Sequence, residues 1–136
     1  MIKQFPASIS HLHDMLDFVC QNALEAGFFE TDVYQIELAV EEALVNIIKY
    51  AYCNKKGVIR IECISEDFDS FKIILVDKGT PYNPLNQSKI FDFSAVLENM
   101  SVGGYGIFFI LKIMDEIQYK HLHGNNILVL IKHKNP

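Results

Sequence analysis

A chain of 136 residues, 50% hydrophobic and 21% charged, is long enough for one domain with a sizeable core and too short for two. Its net charge of −5, with acidic and basic residues interspersed and no Lys/Arg-rich block, argues against a nucleic acid or an anionic membrane surface as a direct partner. No apolar run approaches the roughly 20 residues that span a bilayer, Met1–Pro6 lacks the apolar centre of a signal peptide, and Cys20, Cys53 and Cys63 form no Cys-x-x-Cys pair, so a cytoplasmic protein with reduced, largely buried thiols is expected.

Ile2 to Ala7 reads as a short first strand that Pro6 ends. Ser8 or Ser10 is expected to cap a helix running to about Ala26, where Gly27 stops it. Thr31 or Asp32 then caps a second helix that ends near Tyr52. Its apolar positions Val33, Ile36, Val40, Ala43, Ile47 and Ala51 recur at steps of three and four, the mark of a face packed into a core. Asn54-Lys55-Lys56-Gly57 is a turn. Val58 to Ile64 alternates as a half-buried strand, and Phe71 to Val76 is a more uniformly apolar, central one. Residues 78 to 103 carry two prolines and several Asn and Ser, and read as a long irregular segment enclosing a short helix near 91 to 97. A helix over 106 to 113 and two strands, 117 to 123 and 127 to 133, flank the turn Gly124-Asn125-Asn126. This order predicts an α/β protein of the α+β two-layer kind, a mixed, mainly antiparallel sheet with helices on one face.

Three places carry chemistry. Glu42 and Asn46 are four apart in the central helix and share a face, offering a carboxylate and a carboxamide oxygen to a divalent ion. Asn46 interrupts an apolar run, so the sequence predicts that its amide finds a partner; the plain alternative is a local hydrogen bond beside a solvated Glu42. Asp77 and Gly79 follow the end of a buried strand, where a carboxylate accepts a hydrogen bond from an amine and a glycine lets a flat ring approach the backbone. The same pattern also makes an ordinary Asp-x-Gly turn. Gly103-Gly104-Tyr105-Gly106 opens an apolar helix, so its backbone N–H groups can face an anion at the helix N-terminus, or simply form a tight joint. It is neither a Walker A loop nor a Rossmann fingerprint. His121 and His123 fall on one strand face without a carboxylate or Cys to complete a metal set, and no serine sits in a hydrolase elbow.

In this order, the motifs Glu42-x-x-x-Asn46, Asp77-x-Gly79 and Gly104-x-Gly106 resemble the Bergerat nucleotide-binding fold shared by gyrase, Hsp90, histidine kinases and MutL. The chain is most similar to the stand-alone anti-sigma-factor serine/threonine kinases of bacteria, and the resemblance covers essentially all of it. It implies one ATP-binding kinase domain over residues 1–136, with ATP and Mg2+ as cofactors and residues 80 to 103 as a lid. It implies Glu42 as the catalytic carboxylate, Asn46 as the magnesium ligand, and Asp77 as the reader of the adenine amino group beside Gly79. Gly104, Tyr105 and Gly106 correspond to the phosphate-contacting turn. A sigma factor and a small antagonist protein are the implied partners, with homodimers common. The chain departs from the pattern near its end, where Gly124-Asn125-Asn126 stands in place of the family's frequent Gly-Thr before the last strand, and in the lid. Arg60 is the only arginine, so Lys89 stands as a lid cation without the bidentate fork of a guanidinium. That departure favours an alternative, a nucleotide-gated binding module that transfers little phosphate. A clamp driven by ATP hydrolysis, as in the larger relatives, is not expected, since these 136 residues contain no transducer domain.

Overall fold

The structure is a computed structural model that describes residues 1–65, 67, 69–86 and 106–134. The elements run β1 (Ile2–Pro6), a 3-10 turn (Ile9–His11), α1 (Leu12–Glu25), α2 (Glu30–Asn46), a π-helical turn (Ile47–Ala51), β2 (Val58–Ser65), β3 (Ser70–Asp77), α3 (Gly106–Ile113), β4 (Glu116–Leu122) and β5 (Asn125–His133). The five strands form one sheet in the order β1-β2-β3-β5-β4, and each neighbouring pair is antiparallel.

Strand alternation decides which face receives the helices. Ile59, Ile61 and Cys63 of β2, Phe71, Ile73 and Leu75 of β3, and Leu128 and Leu130 of β5 are all buried. Removing a side chain of this size from water contributes about 1.5–3 kcal/mol, so this face fixes the register. α2 packs between α1 and α3, and α1 also meets β2. Val33, Ile36, Val40 and Ala43 of α2 and Ile110 and Met114 beyond it join the same core. The residues between, Ile74 and Val76 on β3 and Ile127 and Val129 on β5, are only partly covered. β3 is the middle strand, as its composition predicts, yet it alternates instead of being buried on both faces.

The helix starts differ from expectation. α1 begins after a 3-10 turn, and the Ser8 hydroxyl bonds the Ser10 hydroxyl and His11 Nδ1 instead of a backbone N–H. α2 begins at Glu30, and neither Thr31 nor Asp32 caps it. Glu30 and Asp32 lie in its first turn, where negative charge complements the helix dipole. Gly27 takes a φ of 98° and ends the α1 segment as expected. Of the thiols, Cys63 is buried and Cys20 half-buried, and burial pushes both up to about 12, whereas Cys53 is exposed. No helix among the described residues is long and apolar enough to cross a membrane.

Candidate functional site

Asp77 is the last residue of the middle strand. It stands between Ile59 of β2 and Asn126 of β5 in register, on the face that receives the helices. It is 3% exposed. Its Oδ1 accepts from the Gly79 backbone N–H at 2.9 Å and from the Asn126 amide at 2.8 Å. Among the described residues no donor reaches Oδ2. Burial raises the Asp77 carboxyl above the usual carboxylate range, while the bonds from Asn126 and Gly79 and the nearby His121 pull it back. The result is a carboxylate with one oxygen fixed by the fold and the other available.

Gly79 and Thr80 press this strand end against the end of the central helix. Thr80 donates from its backbone N to the Ala51 carbonyl at 2.8 Å and from its hydroxyl to the same oxygen at 3.0 Å. A Cβ at position 79 would stand 2.5 Å from Ala51 C and O. The close approach that glycine permits is therefore to the Ala51 backbone. The π-helical turn makes this possible, because the last carbonyls of a helix lack intrahelical partners and here the loop after β3 supplies them. Tyr52 adds a second tie: its hydroxyl accepts from the Lys78 N–H at 2.8 Å and donates to the Val58 carbonyl at 2.6 Å.

A narrow pocket opens at this junction. Ala43, Asn46, Ile47 and Ala51 line it from the helix, with Asp77 at the end of β3, Tyr82 and Pro84 after it, and Tyr119, Asn126 and Leu128 from β4 and β5. The fold thus brings Asn46 and Asp77, 31 positions apart in the chain, to one cavity. Asn46 is only half-buried, and among the described residues its amide makes no hydrogen bond. Neither the predicted partner nor the local bond of the plain alternative is present among the described residues, and partial exposure lowers the cost of lacking them. Glu42 sits one turn earlier on α2, half-buried and outside this lining. Desolvation raises its carboxyl, Glu41 raises it further, and Lys49 opposes them. Gly106 opens α3. Lys89, Gly104 and Tyr105, and most of the 80–103 segment, lie outside the described residues. Arg60 is exposed and pairs with Val76, on the sheet face away from Asp77.

The donor set fits a magnesium nucleotide at the positions described. Asn46 offers one hard oxygen, and no group of three His, Cys, Asp or Glu among the described residues forms a protein-only metal site. An ion that arrives with phosphate oxygens and keeps its waters needs little more from the protein. The lining, apolar with the Asp77 oxygen, matches the chemistry of a flat base bearing an amine, but the cavity measures only about 10 Å³, so the junction has to widen to admit one.

Asn126 escapes the sequence reading. Gly124-Asn125-Asn126 looks like a turn by composition, but the turn is His123-Gly124 and Asn126 is the second residue of β5. It is 3% exposed and faces Asp77. The available signal is period two: Asn126 precedes Leu128 and Leu130 on the core-facing side.

The profile of the histidine kinase-like ATPase domain family matches residues 5–132. A protein of Bacillus cereus (strain AH187) named serine-protein kinase RsbW is 31% identical over 110 residues, 79% of this chain and 68% of its own length. Proteins of the same name in Bacillus mycoides (strain KBAB4) and Bacillus anthracis (strain A0248) are 30% identical over 106 and 107 residues, covering 76% of this chain and 66% of theirs. The chain spans two thirds of the length of these relatives.

Proposed function

Because the chain belongs to the family of histidine kinase-like ATPase domains, we propose that it is a single Mg-ATP-binding domain acting as a serine/threonine protein kinase in a cytoplasmic anti-sigma switch. The acceptor is a serine of a small antagonist protein, and the second partner is a sigma factor. The observation that carries the nucleotide reading is Asp77, buried at the end of the middle strand with one oxygen tied and the other without a donor among the described residues, in a pocket shared with Asn46. The names of the relatives support phosphotransfer to serine.

In this reading Asp77 accepts the adenine amine and Gly79 borders the base. Asn46 contributes an oxygen to the magnesium ion, which when bound neutralises phosphate charge. The backbone at Gly104, Tyr105 and Gly106 meets the phosphates at the start of α3, and Lys89 supplies a lid cation. Glu42 takes the proton of the attacking serine hydroxyl; its raised carboxyl makes it a stronger base than an exposed glutamate.

One observation favours a second reading, a nucleotide-gated binder with little transfer: the single arginine, Arg60, lies on the opposite sheet face and cannot serve the transferred phosphate. Incubation with labelled ATP and the small proteins encoded beside it separates the two. A kinase labels one of those proteins, and Glu42→Gln, which preserves shape, lowers transfer by about 10²–10⁴-fold while still binding Mg-ATP. Nucleotide and partner binding with no label on any protein supports the binder; Lys89→Arg then tests whether an added guanidinium restores transfer.

A further inference from the structure

Asn126 is a saturated amide. Its Nδ2 donates to Asp77 Oδ1 at 2.8 Å and to the Thr80 carbonyl at 2.9 Å, with the Gly79 carbonyl at 3.4 Å. Its Oδ1 accepts from the Tyr119 hydroxyl and from the Tyr82 backbone N–H at 3.3 Å. Both donor hydrogens and both lone-pair directions of the amide are engaged. Two donors on the oxygen fix the orientation of the group. A flipped amide would set its oxygen against the Asp77 carboxylate and the Thr80 carbonyl and its NH2 against the Tyr82 N–H, keeping only a bond to the Tyr119 hydroxyl, which can also accept.

The orientation has a chemical result at Asp77. An NH2 donor can only meet an oxygen that accepts, and the Gly79 N–H makes the same demand on Oδ1. Two donors on Oδ1 favour the ionised carboxyl, and an ionised carboxyl leaves Oδ2, which meets no donor among the described residues, able only to accept. The donation from Asn126 also lowers the carboxyl against the desolvation that raises it. Asn126 therefore keeps Asp77 an acceptor, and Tyr119 and Tyr82 keep Asn126 a donor.

We infer that Asn126, held by Tyr119, is the positioning residue that sets which base the pocket accepts, by fixing Asp77 Oδ2 as an acceptor for an exocyclic amine. The inference rests on the proposed reading of Asp77 and names the residues that enforce it. Adenine offers an amine at that position; hypoxanthine, otherwise the same ring, offers a carbonyl and would face the carboxylate oxygen to oxygen.

The test is the ratio of ATP to inosine triphosphate affinity, measured by calorimetry on the parent, Asn126→Asp and Tyr119→Phe. In Asn126→Asp two carboxylates share the site and one holds a proton. The proton is shared at Oδ1, so Oδ2 offers less negative charge to an amine and opposes a carbonyl less, and the ATP preference should fall roughly tenfold. Tyr119→Phe removes one of the two donors that orient the amide, so the ratio should fall by a smaller factor with little change in melting temperature. A structural role alone would lower thermal stability and both affinities together, leaving the ratio unchanged; that result in both variants overturns the inference. A parent that binds the two nucleotides equally overturns the reading of Asp77 itself, a separate outcome visible before any variant is made. If Asn126→Asp does not fold, the Tyr119→Phe ratio decides alone.

Discussion

Gly79 lies directly against Ala51: a Cβ at position 79 would stand 2.5 Å from both the carbonyl carbon and the carbonyl oxygen of that residue. The obstacle is backbone, which cannot rotate aside. Gly79→Ala should therefore push the loop after β3 off the helix end and strain the two Thr80 bonds to the Ala51 carbonyl. Forcing extra volume into a packed contact costs about 1–3 kcal/mol. Denaturant unfolding should show a lower midpoint with an unchanged slope.

Asp77→Asn should move stability and binding in opposite directions. Burial raises the Asp77 carboxyl in the fold, so the folded protein holds that proton to a higher pH than the unfolded chain. Across the window between the two values the folded state binds more protons, and stability falls as pH rises. Above that window the full cost of the buried charge is present. An asparagine keeps an acceptor for Gly79 and Asn126 without the charge. The variant should melt no lower than the parent above the window, and its advantage should shrink as pH falls into the ordinary carboxylate range. ATP binding should weaken by about 1–3 kcal/mol, since an NH2 opposes the amine. A melting difference that grows in acid would contradict the assignment.

Asn46→Ala offers a cleaner separation of fold from site. The side chain is half-buried and makes no hydrogen bond among the described residues. Its removal should change the melting temperature of the nucleotide-free protein little, within about ±0.5 kcal/mol of stability. The additional stabilisation conferred by Mg-ATP over ATP with a chelator should disappear. An equal drop with and without the metal would make Asn46 a structural residue.

How far these residues could be read beforehand depends on whether their signal is local. The face of Val33, Ile36, Val40 and Ala43 repeats every turn, and the alternation of Ile59, Ile61 and Cys63 repeats every second residue, so both are visible in short windows. Asp77 and Gly79 are legible because they end a strand. Asn126 is not, because its role comes from a partner 49 positions away, through strand pairing that composition does not encode. The caps at Ser8 and Thr31 fail for another reason. A preceding 3-10 turn occupies Ser8, and α2 opens one residue before Thr31, so propensity yields to how the chain enters each helix. The reason for a glycine at 79 was likewise hidden, since Ala51 approaches only after folding.

The pH profile of phosphate transfer should report Glu42. A general base works only when ionised, so activity should rise with pH through its value in the enzyme. Desolvation, aided by Glu41, raises that value above the ordinary glutamate range, and Lys49 opposes the shift. The acid limb should therefore lie above the usual carboxylate range. Glu41→Gln should move it to lower pH and Lys49→Met to higher pH, with rates at high pH little altered. Shifts in the reverse sense would exclude Glu42 as the base.

The π-helical turn at Ile47–Ala51 is a local widening of the helix end. The Tyr52 N–H bonds the Ile47 carbonyl five residues back, so this stretch holds one residue more than an α-helical turn would. Its five residues pass through about the rotation that four complete in an α-helix, so deleting one residue here would close the ordinary ladder with little change of phase. Glu42 and Asn46, upstream, and the backbone that meets Thr80, downstream, would keep nearly their present alignment. A single-residue deletion in this turn should therefore be tolerated far better than one in the α-helical turns before it, where everything downstream would rotate by about 100°.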